Sequence, residues 1–314
     1  MYKSFIVDNK VYLIKIGQPR LGYACICETI KKNVKVGSTC IQKTFVDKGI
    51  NYVIELAFSN LTSILKVLEW NEAHNIKFYR MNSKILPHFT NPKFIPDGQK
   101  YAYDIFQFKD ICMKIGDYAR KHNHRLTFHP DQYNQIGTPH KTVFEKTSKE
   151  LEMHADLLDL MELDLNSVMI VHGGGFYEDK PKTIERWIQQ FFLLPETVRR
   201  RIVIENCERI YSVFDMLYIS RRICRPVVFD THHHECYSKV VEPQPHPSEF
   251  LGEVLATWFR LGLRPKFHVS NQAPDKKIGA HSEYVEFIPS YLVNLDVDVM
   301  IEAKKKELAV LMLQ

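Results

Sequence analysis

Six residues able to bind a metal or move a proton stand at corresponding places along the chain: His129, His172, Glu205, Asp230, His268 and Glu302. Each falls at or near the end of a short apolar run. The runs are HRLTFHP (124–130), SVMIVHG (167–173), RIVIEN (201–206), PVVFDTH (226–232), PKFHVS (265–270) and DVMIEAK (298–304). Any one such residue is more often structural than a ligand, but six in succession reverse that expectation. Imidazoles and carboxylates without thiolates suit Zn²⁺, Mn²⁺, Co²⁺ or Fe²⁺ better than Mg²⁺ or Ca²⁺, which prefer all-oxygen shells. The donors outnumber the four that a tetrahedral zinc ion takes, so two or three ions are expected. Glu205 and Glu302 each offer two oxygens and could bridge a pair of ions. Metals so arranged activate a water and stabilise the attacking and leaving oxygens of a phosphoryl group. The chemistry indicated is metal-assisted phosphodiester hydrolysis, with sugar isomerisation on a two-metal site as the open alternative.

PVVFDTHHHECY (226–237) adds three adjacent histidines after Asp230. Asp230 ends the run and is the strongest ligand of the stretch. His232, His233 and His234 are expected in the following loop, where three neighbouring side chains cannot all enter one site. One or two should bind metal while the others make hydrogen bonds or meet solvent.

These donors need a scaffold that brings strand ends together. Two earlier runs, RLGYACIC (20–27) and IKFYRMNS (76–83), bring the β-like segments to eight. All are nearly continuously apolar, as befits strands of a parallel sheet covered on both faces. Helical spacing fills the intervals. It appears at Leu61, Ile64, Leu65 and Leu68, at Phe108, Ile111, Cys112, Ile115 and Ala119, and at Leu151, His154, Ala155 and Leu158. Eight alternating units predict an α/β protein, a (β/α)₈ TIM barrel spanning residues 1–314 as a single domain. Residues 1–19 are expected to form an N-terminal extension or an edge hairpin. In such a barrel the C-terminal strand ends share one face, and the candidate ligands would meet there.

Composition restricts the function classes. With 45% hydrophobic residues the chain can bury a large core, and no apolar stretch reaches the length of a membrane span. The N-terminus, MYKSFIVDNKVYLIKIG, lacks the pattern of a signal peptide. The cysteines at 25, 27, 40, 112, 207, 224 and 236 are odd in number and form no Cys-x-x-Cys pair. Reduced thiols in an intracellular protein are expected. The net charge of +5 permits a polyanionic partner without requiring one.

Longer motifs sharpen the reading. RLGYACICETI, LTFHPDQYNQIGTP, VMIVHGGGFYEDK, IVIENCERIYSV, VVFDTHHHECY, PKFHVSNQAPDKKIGAHSEYV and VMIEAKKKELAV follow one another from residue 20 to 310. Together they resemble the UV damage endonuclease family (ultraviolet DNA endonuclease). The resemblance implies a metal-dependent TIM barrel related to endonuclease IV and xylose isomerase. It implies cleavage on the 5′ side of UV photoproducts, and of some other lesions including abasic sites, leaving a 3′ hydroxyl. Its metal ligands match His129, His172, Glu205, Asp230, His233, His268 and Glu302, with His233 completing an Asp-x-x-His pattern. His281, in GAHSEY, matches a further histidine near the metals. Lys266 matches a lysine that can be carboxylated in this family, the simpler reading being a lysine on phosphate. Glu205, Glu302 and Lys266 would carry the catalytic role. Gln132 and Tyr133 match the pair that inserts into the duplex at the lesion, where a photoproduct already weakens stacking. Tyr23 matches a tyrosine that contacts the flipped nucleotides. The implied partner is damaged double-stranded DNA, the implied cofactor Mn²⁺ with Zn²⁺ or Co²⁺ as alternatives, and the implied state a monomer. An abasic-site nuclease, a sugar isomerase and a non-catalytic lesion-binding protein are the competing readings.

The chain departs from the family pattern in three places. LPHFTNPKF carries Asn91 where a histidine is usual, with His88 three residues earlier, so either residue is a candidate ligand. Cys27 or Glu28 replaces an asparagine expected after RLGY, and Asp131 replaces the glycine of the HPGQY pattern. Phosphate contacts are expected from Lys31, Lys32, Lys35, Arg80, Lys141, Lys276 and the run Lys304–Lys306.

Overall fold

All eight apolar runs become parallel strands, each shorter than its run, in a computed structural model that describes residues 1–177 and 179–314. They are β3 (Arg20–Ala24), β4 (Phe78–Arg80), β5 (Arg125–Thr127), β6 (Met169–His172), β7 (Ile202–Glu205), β8 (Val227–Asp230), β9 (Lys266–Val269) and β10 (Asp298–Ile301). Their order around the sheet is β5-β4-β3-β10-β9-β8-β7-β6. Phe128 bridges Met169 across the remaining gap, donating to Val168 O and accepting from Ile170 N, each at 3.0 Å. The result is the (β/α)₈ TIM barrel that the sequence predicts. Helices α1 (Gln42–Ala73), α2 (Lys109–Lys121), α3 (Lys141–Leu160), α4 (Lys180–Phe191), α5 (Glu196–Arg199), α6 (Val213–Ile223), α7 (Thr231–Val240), α8 (Leu251–Phe259) and α9 (Glu307–Leu311) surround it. Gly49, at φ 78°, breaks α1 into two pieces.

The N-terminal residues form an antiparallel hairpin, β1 (Tyr2–Val7) and β2 (Lys10–Lys15), separate from the barrel sheet. Asp8 and Asn9, both at positive φ, make its two-residue turn. Phe5 and Tyr12 pack on Phe259 of α8, and Asp8 pairs with Arg260 at 2.8 Å.

Strand register decides what faces the barrel interior. Successive strand residues alternate between faces. Tyr23, Leu126, Phe128, Met169, Val171, Ile202, Ile204, Phe229, Phe267, Val269, Val299 and Ile301 therefore point outward into the large core beneath the helices. The other parity fills the barrel: Ala24, Phe78 and Met300 form one apolar cluster there, and Val168, Ile170, Val203 and Val228 belong to another. Gly22 shares this inner parity, and a Cβ there would stand 2.2 Å from Phe78 O, so glycine is required.

The two ends of the barrel are polar in opposite ways. At the N-terminal end Asp298, fully buried, receives Arg20 (2.7 Å), Arg125 (2.8 Å) and Arg264 (2.6 Å). At the C-terminal end the same inner parity presents the histidines and carboxylates described next. Among the described residues no helix is long and apolar enough to cross a membrane, and all seven cysteines are free thiols.

Candidate metal centre

Staggered register lifts the donors to one level. His172 pairs with Glu205 across β6 and β7, and Asp230 pairs with His268 across β8 and β9. His268 also faces Met300, so Glu302 projects two residues beyond it, on the same inner parity. Among the described residues three donor groups have atoms within 4.8 Å of one another: His129, His172 and Glu205; Glu205, Asp230 and His233; and Asp230, His268 and Glu302. Glu205 and Asp230 each belong to two of them. The strand-end residues of the six apolar runs and one member of the histidine triplet are thus brought together.

Glu205 is the hub. Its Oε2 accepts from His129 Nε2 at 3.0 Å and lies 3.6 Å from His172 Nε2, while its Oε1 is 2.6 Å from His268 Nδ1 and 3.8 Å from His233 Nδ1. One carboxylate therefore offers a different oxygen to each side of the cluster. Burial would raise its pKa, but His268 and His172 overcome that and hold it well below the usual carboxylate range. Glu302 is similarly held down against burial, chiefly by Arg80. Arg80 pairs with Glu302 inside the barrel rather than standing on the surface as a phosphate contact. Sequence reasoning missed this role, although Arg80 ends the β4 run just as the ligands end theirs.

The histidine triplet resolves differently from expectation. Its residues open helix α7 instead of lying in a loop. Asp230 Oδ1 caps that helix by accepting from His233 N at 2.7 Å, and this turn directs His233 into the site. His233 Nδ1 meets Asn206 O at 3.0 Å. Asn206 also pairs with the backbone of Asp230 in both directions, at 2.9 and 3.0 Å. The sequence signal for Asn206 was its place after Glu205 in RIVIEN. His232 is buried beside Cys236, and His234 meets Pro245 O at 3.1 Å, so neither joins the donors.

Tyr23 has no exposed surface and donates to Asn71 Oδ1 at 2.7 Å, so it cannot contact a nucleotide. Its outward parity in β3 is the reason. His88 and Asn91 hydrogen-bond to each other at 3.2 Å, and His88 Nε2 meets Cys40 O at 2.7 Å. Phe45 and Phe94 pack against the His88 ring, leaving both residues outside the donor groups. His281 stands at the rim, 3.9 Å from Glu302 Oε2, outside the three tight groups. Lys266 lies one layer below His268 with its amine against the imidazole, fully buried. Burial and the nearby Arg80 charge push its pKa well below that of an ordinary lysine.

Divalent ions fit this donor set on structural grounds. Asp230 Oδ2 and His172 Nδ1 are buried without a hydrogen-bond partner among the described residues, and leaving such groups unmatched is costly. The donors are nitrogen and oxygen with no thiolate among them. Burial raises the Asp230 carboxyl to about 7. His233 is raised to about 9 because Asp230, Glu205 and Glu302 outweigh its burial. The metal-free site thus holds protons that ligation must displace, whereas His172 and His268, lowered to about 4 by burial, are already neutral. Titration of the metal-free protein with Mn²⁺ should release about one proton or more per site near pH 7, and affinity should rise with pH. Calorimetry in buffers of different ionisation enthalpy checks this. Heats that do not depend on the buffer would contradict it.

Gln132 and Tyr133 sit on a turn beyond β5, with Tyr133 76% exposed. They line a cleft of about 520 Å³ that His172 and His233 also border. The cleft connects the exposed pair to the donor cluster.

A TIM barrel with overlapping histidine–carboxylate groups at its C-terminal mouth defines a class of protein equipped to hold divalent cations at one open face. Comparison with protein families matches residues 19–314 to "UV-endonuclease UvdE". The chain belongs to the UvdE family. A relative from Acanthamoeba polyphaga mimivirus is 36% identical over 302 residues, covering 93% of this chain and 89% of its own. The UV-damage endonuclease of Schizosaccharomyces pombe is 33% identical over 304 residues, 93% of this chain but 49% of that protein. The crystal structure of SacUVDE superposes with a TM-score of 0.81 at 29% identity, covering 93% of this chain and 96% of the other.

Proposed function

We propose that this chain is a divalent-metal-dependent DNA endonuclease that hydrolyses the phosphodiester 5′ to UV photoproducts and leaves a 3′ hydroxyl. The observation that carries the proposal is Glu205, whose two oxygens face separate histidine sets beside His172 and His233, which border the cleft that the exposed Gln132 and Tyr133 also line. Family membership and the name of the S. pombe relative support the substrate. Two or three ions, Mn²⁺ foremost with Zn²⁺ or Co²⁺ as alternatives, suit the three overlapping donor groups. Such ions supply an activated water and positive charge at the phosphoryl oxygens.

The chain's own residues prepare that chemistry. Glu205, Asp230 and Glu302 bring anionic charge to the mouth, with His129, His172, His233 and His268 around them and His281 at the rim. Arg80 holds Glu302 in place and balances its charge. Burial disfavours the charged form of Lys266, whose amine can add CO₂ and release a proton, becoming an anionic carbamate beside His268. Incubation with isotope-labelled bicarbonate should give a carbamate signal that Lys266→Arg lacks.

Damaged duplex is recognised where bases already stack poorly, so displacing them costs less than in intact DNA. Gln132 and Tyr133 occupy the gap. Each stacking contact of this kind contributes about 1–3 kcal/mol, so Gln132→Ala with Tyr133→Ala should weaken photoproduct recognition by about ten-fold or more. The thermal midpoint should hardly move, because both side chains are exposed. An unchanged preference for damaged over intact duplex would contradict this role. The protein acts as a monomer on this reading, since one chain supplies every donor.

The proposal is tested by incubating Mn²⁺-loaded protein with supercoiled plasmid that is intact, irradiated or depurinated. Nicking confined to damaged plasmid and strongest on irradiated DNA is expected. Nicking of depurinated plasmid alone would make it an abasic-site enzyme, and none at all would remove the nuclease assignment.

A further inference from the structure

We propose that Gln135 is a specificity-determining residue that presents its side-chain amide N–H groups to a carbonyl oxygen of the displaced pyrimidine. This rests on the nuclease reading above and adds to it the group that reads the lesion. Gln135 follows the Gln132–Tyr133 turn, and its backbone N–H donates to Thr147 Oγ1 on α3 at 3.0 Å. Its side-chain Oε1 accepts from Gly175 N at 3.1 Å and from the Tyr177 hydroxyl at 2.5 Å. A backbone N–H can only donate, so the atom facing Gly175 must be oxygen, and the amide has one permitted orientation. Nε2 is left with two N–H groups and no partner among the described residues.

Gln135 lines the same cleft as Gln132, Tyr133, His172 and His233. A nucleotide leaving the stack toward the donor cluster passes along this cleft. Gly174, beside Gln135, adopts φ +83°, a backbone conformation that suits glycine. Pyrimidines carry carbonyl oxygens that accept hydrogen bonds, O4 of thymine among them, and photodimerisation across the ring carbons leaves those oxygens in place. A fixed amide donor in a partly enclosed cleft therefore favours a lesion that can accept from it.

The test uses metal-loaded protein and a duplex with one cyclobutane pyrimidine dimer. It compares kcat/KM for that duplex with the inhibition constant of the same duplex lacking the lesion. Gln135→Glu keeps oxygens for Gly175 N–H and Tyr177 but has no amide donor, and Gln135→Met removes the donor without adding charge. Both variants should lower kcat/KM for the dimer about ten-fold relative to wild type, with any change in the inhibition constant smaller by a similar factor. A fall in kcat/KM matched by a comparable rise in the inhibition constant would mark a structural or electrostatic effect and overturn the proposal, as would no change in either. Wild-type protein unable to cut the dimer duplex would instead remove the nuclease reading, and this proposal with it.

Discussion

Glu205→Gln should lower nicking of irradiated DNA by about 10³-fold while leaving the barrel folded. That is the scale of loss expected when one group of a set that stabilises reacting charge is removed. The amide nearly matches the carboxylate in shape, so a folding defect is not the expected cause. What disappears is the carboxylate whose two oxygens meet His129 Nε2 and His268 Nδ1. An amide has one weak oxygen ligand and would direct N–H groups toward imidazoles that also need an acceptor. Both flanking donor groups should weaken together, because Glu205 is shared by the His129–His172 side and the Asp230–His233 side. Metal analysis should accordingly show fewer ions bound per chain, alongside an unchanged far-UV spectrum. Retention of both full metal content and activity would deny Glu205 its central place.

Asp298→Asn should cost about 3 kcal/mol of stability, by way of the opposite end of the barrel. Asp298 is fully buried and is the common acceptor for Arg20, Arg125 and Arg264. Burial alone would raise its pKa, but Arg125, Arg20 and Arg264 hold it far below the usual carboxylate range. Removing the anion leaves the nearly inaccessible Arg125 without its counter-charge, the costly way to break a buried pair. Arg20 and Arg264 reach solvent in part, which places the cost at the lower end of such values. A depressed folded-state pKa stabilises above the unfolded value, near 3.9, and the contribution fades as pH falls below it. The difference between wild type and variant in urea denaturation should therefore be full near pH 6 and shrink below about pH 4. A difference below about 1 kcal/mol at neutral pH would mean that the arginines find other partners.

The scaffold was legible because two periodicities coincide. Continuous apolar runs mark doubly covered strands, and a polar residue at each run's end marks the open face. Parity within the runs also fixes which residues face the barrel interior. Counting back by twos from Glu302 gives Met300 and Asp298, which are inside, and the neighbouring register makes Tyr23 an outward residue. The resemblance to the family pointed Tyr23 toward the nucleotides, and strand parity points it into the core. The helical start at His232–His234 is also written in the sequence, since an aspartate before a helix is a favoured N-cap. His88, Asn91 and Gln135 were less accessible to sequence reasoning. Their orientations depend on partners distant in the chain, such as Cys40 O for His88 and Gly175 for Gln135. Arg80 lay between the two cases, readable as a strand-end residue but not as the partner of Glu302.

The central claim is that the donor cluster cuts DNA beside a UV lesion, and an end-labelled duplex with one defined photoproduct tests it most directly. Metal-loaded protein should produce one cut 5′ to the lesion, with a 3′ end that a polymerase extends. Wild-type and Glu205→Gln protein should differ by the factor given above. An uncut duplex, a cut equally frequent without the lesion, or a 3′ end that cannot be extended would contradict the account.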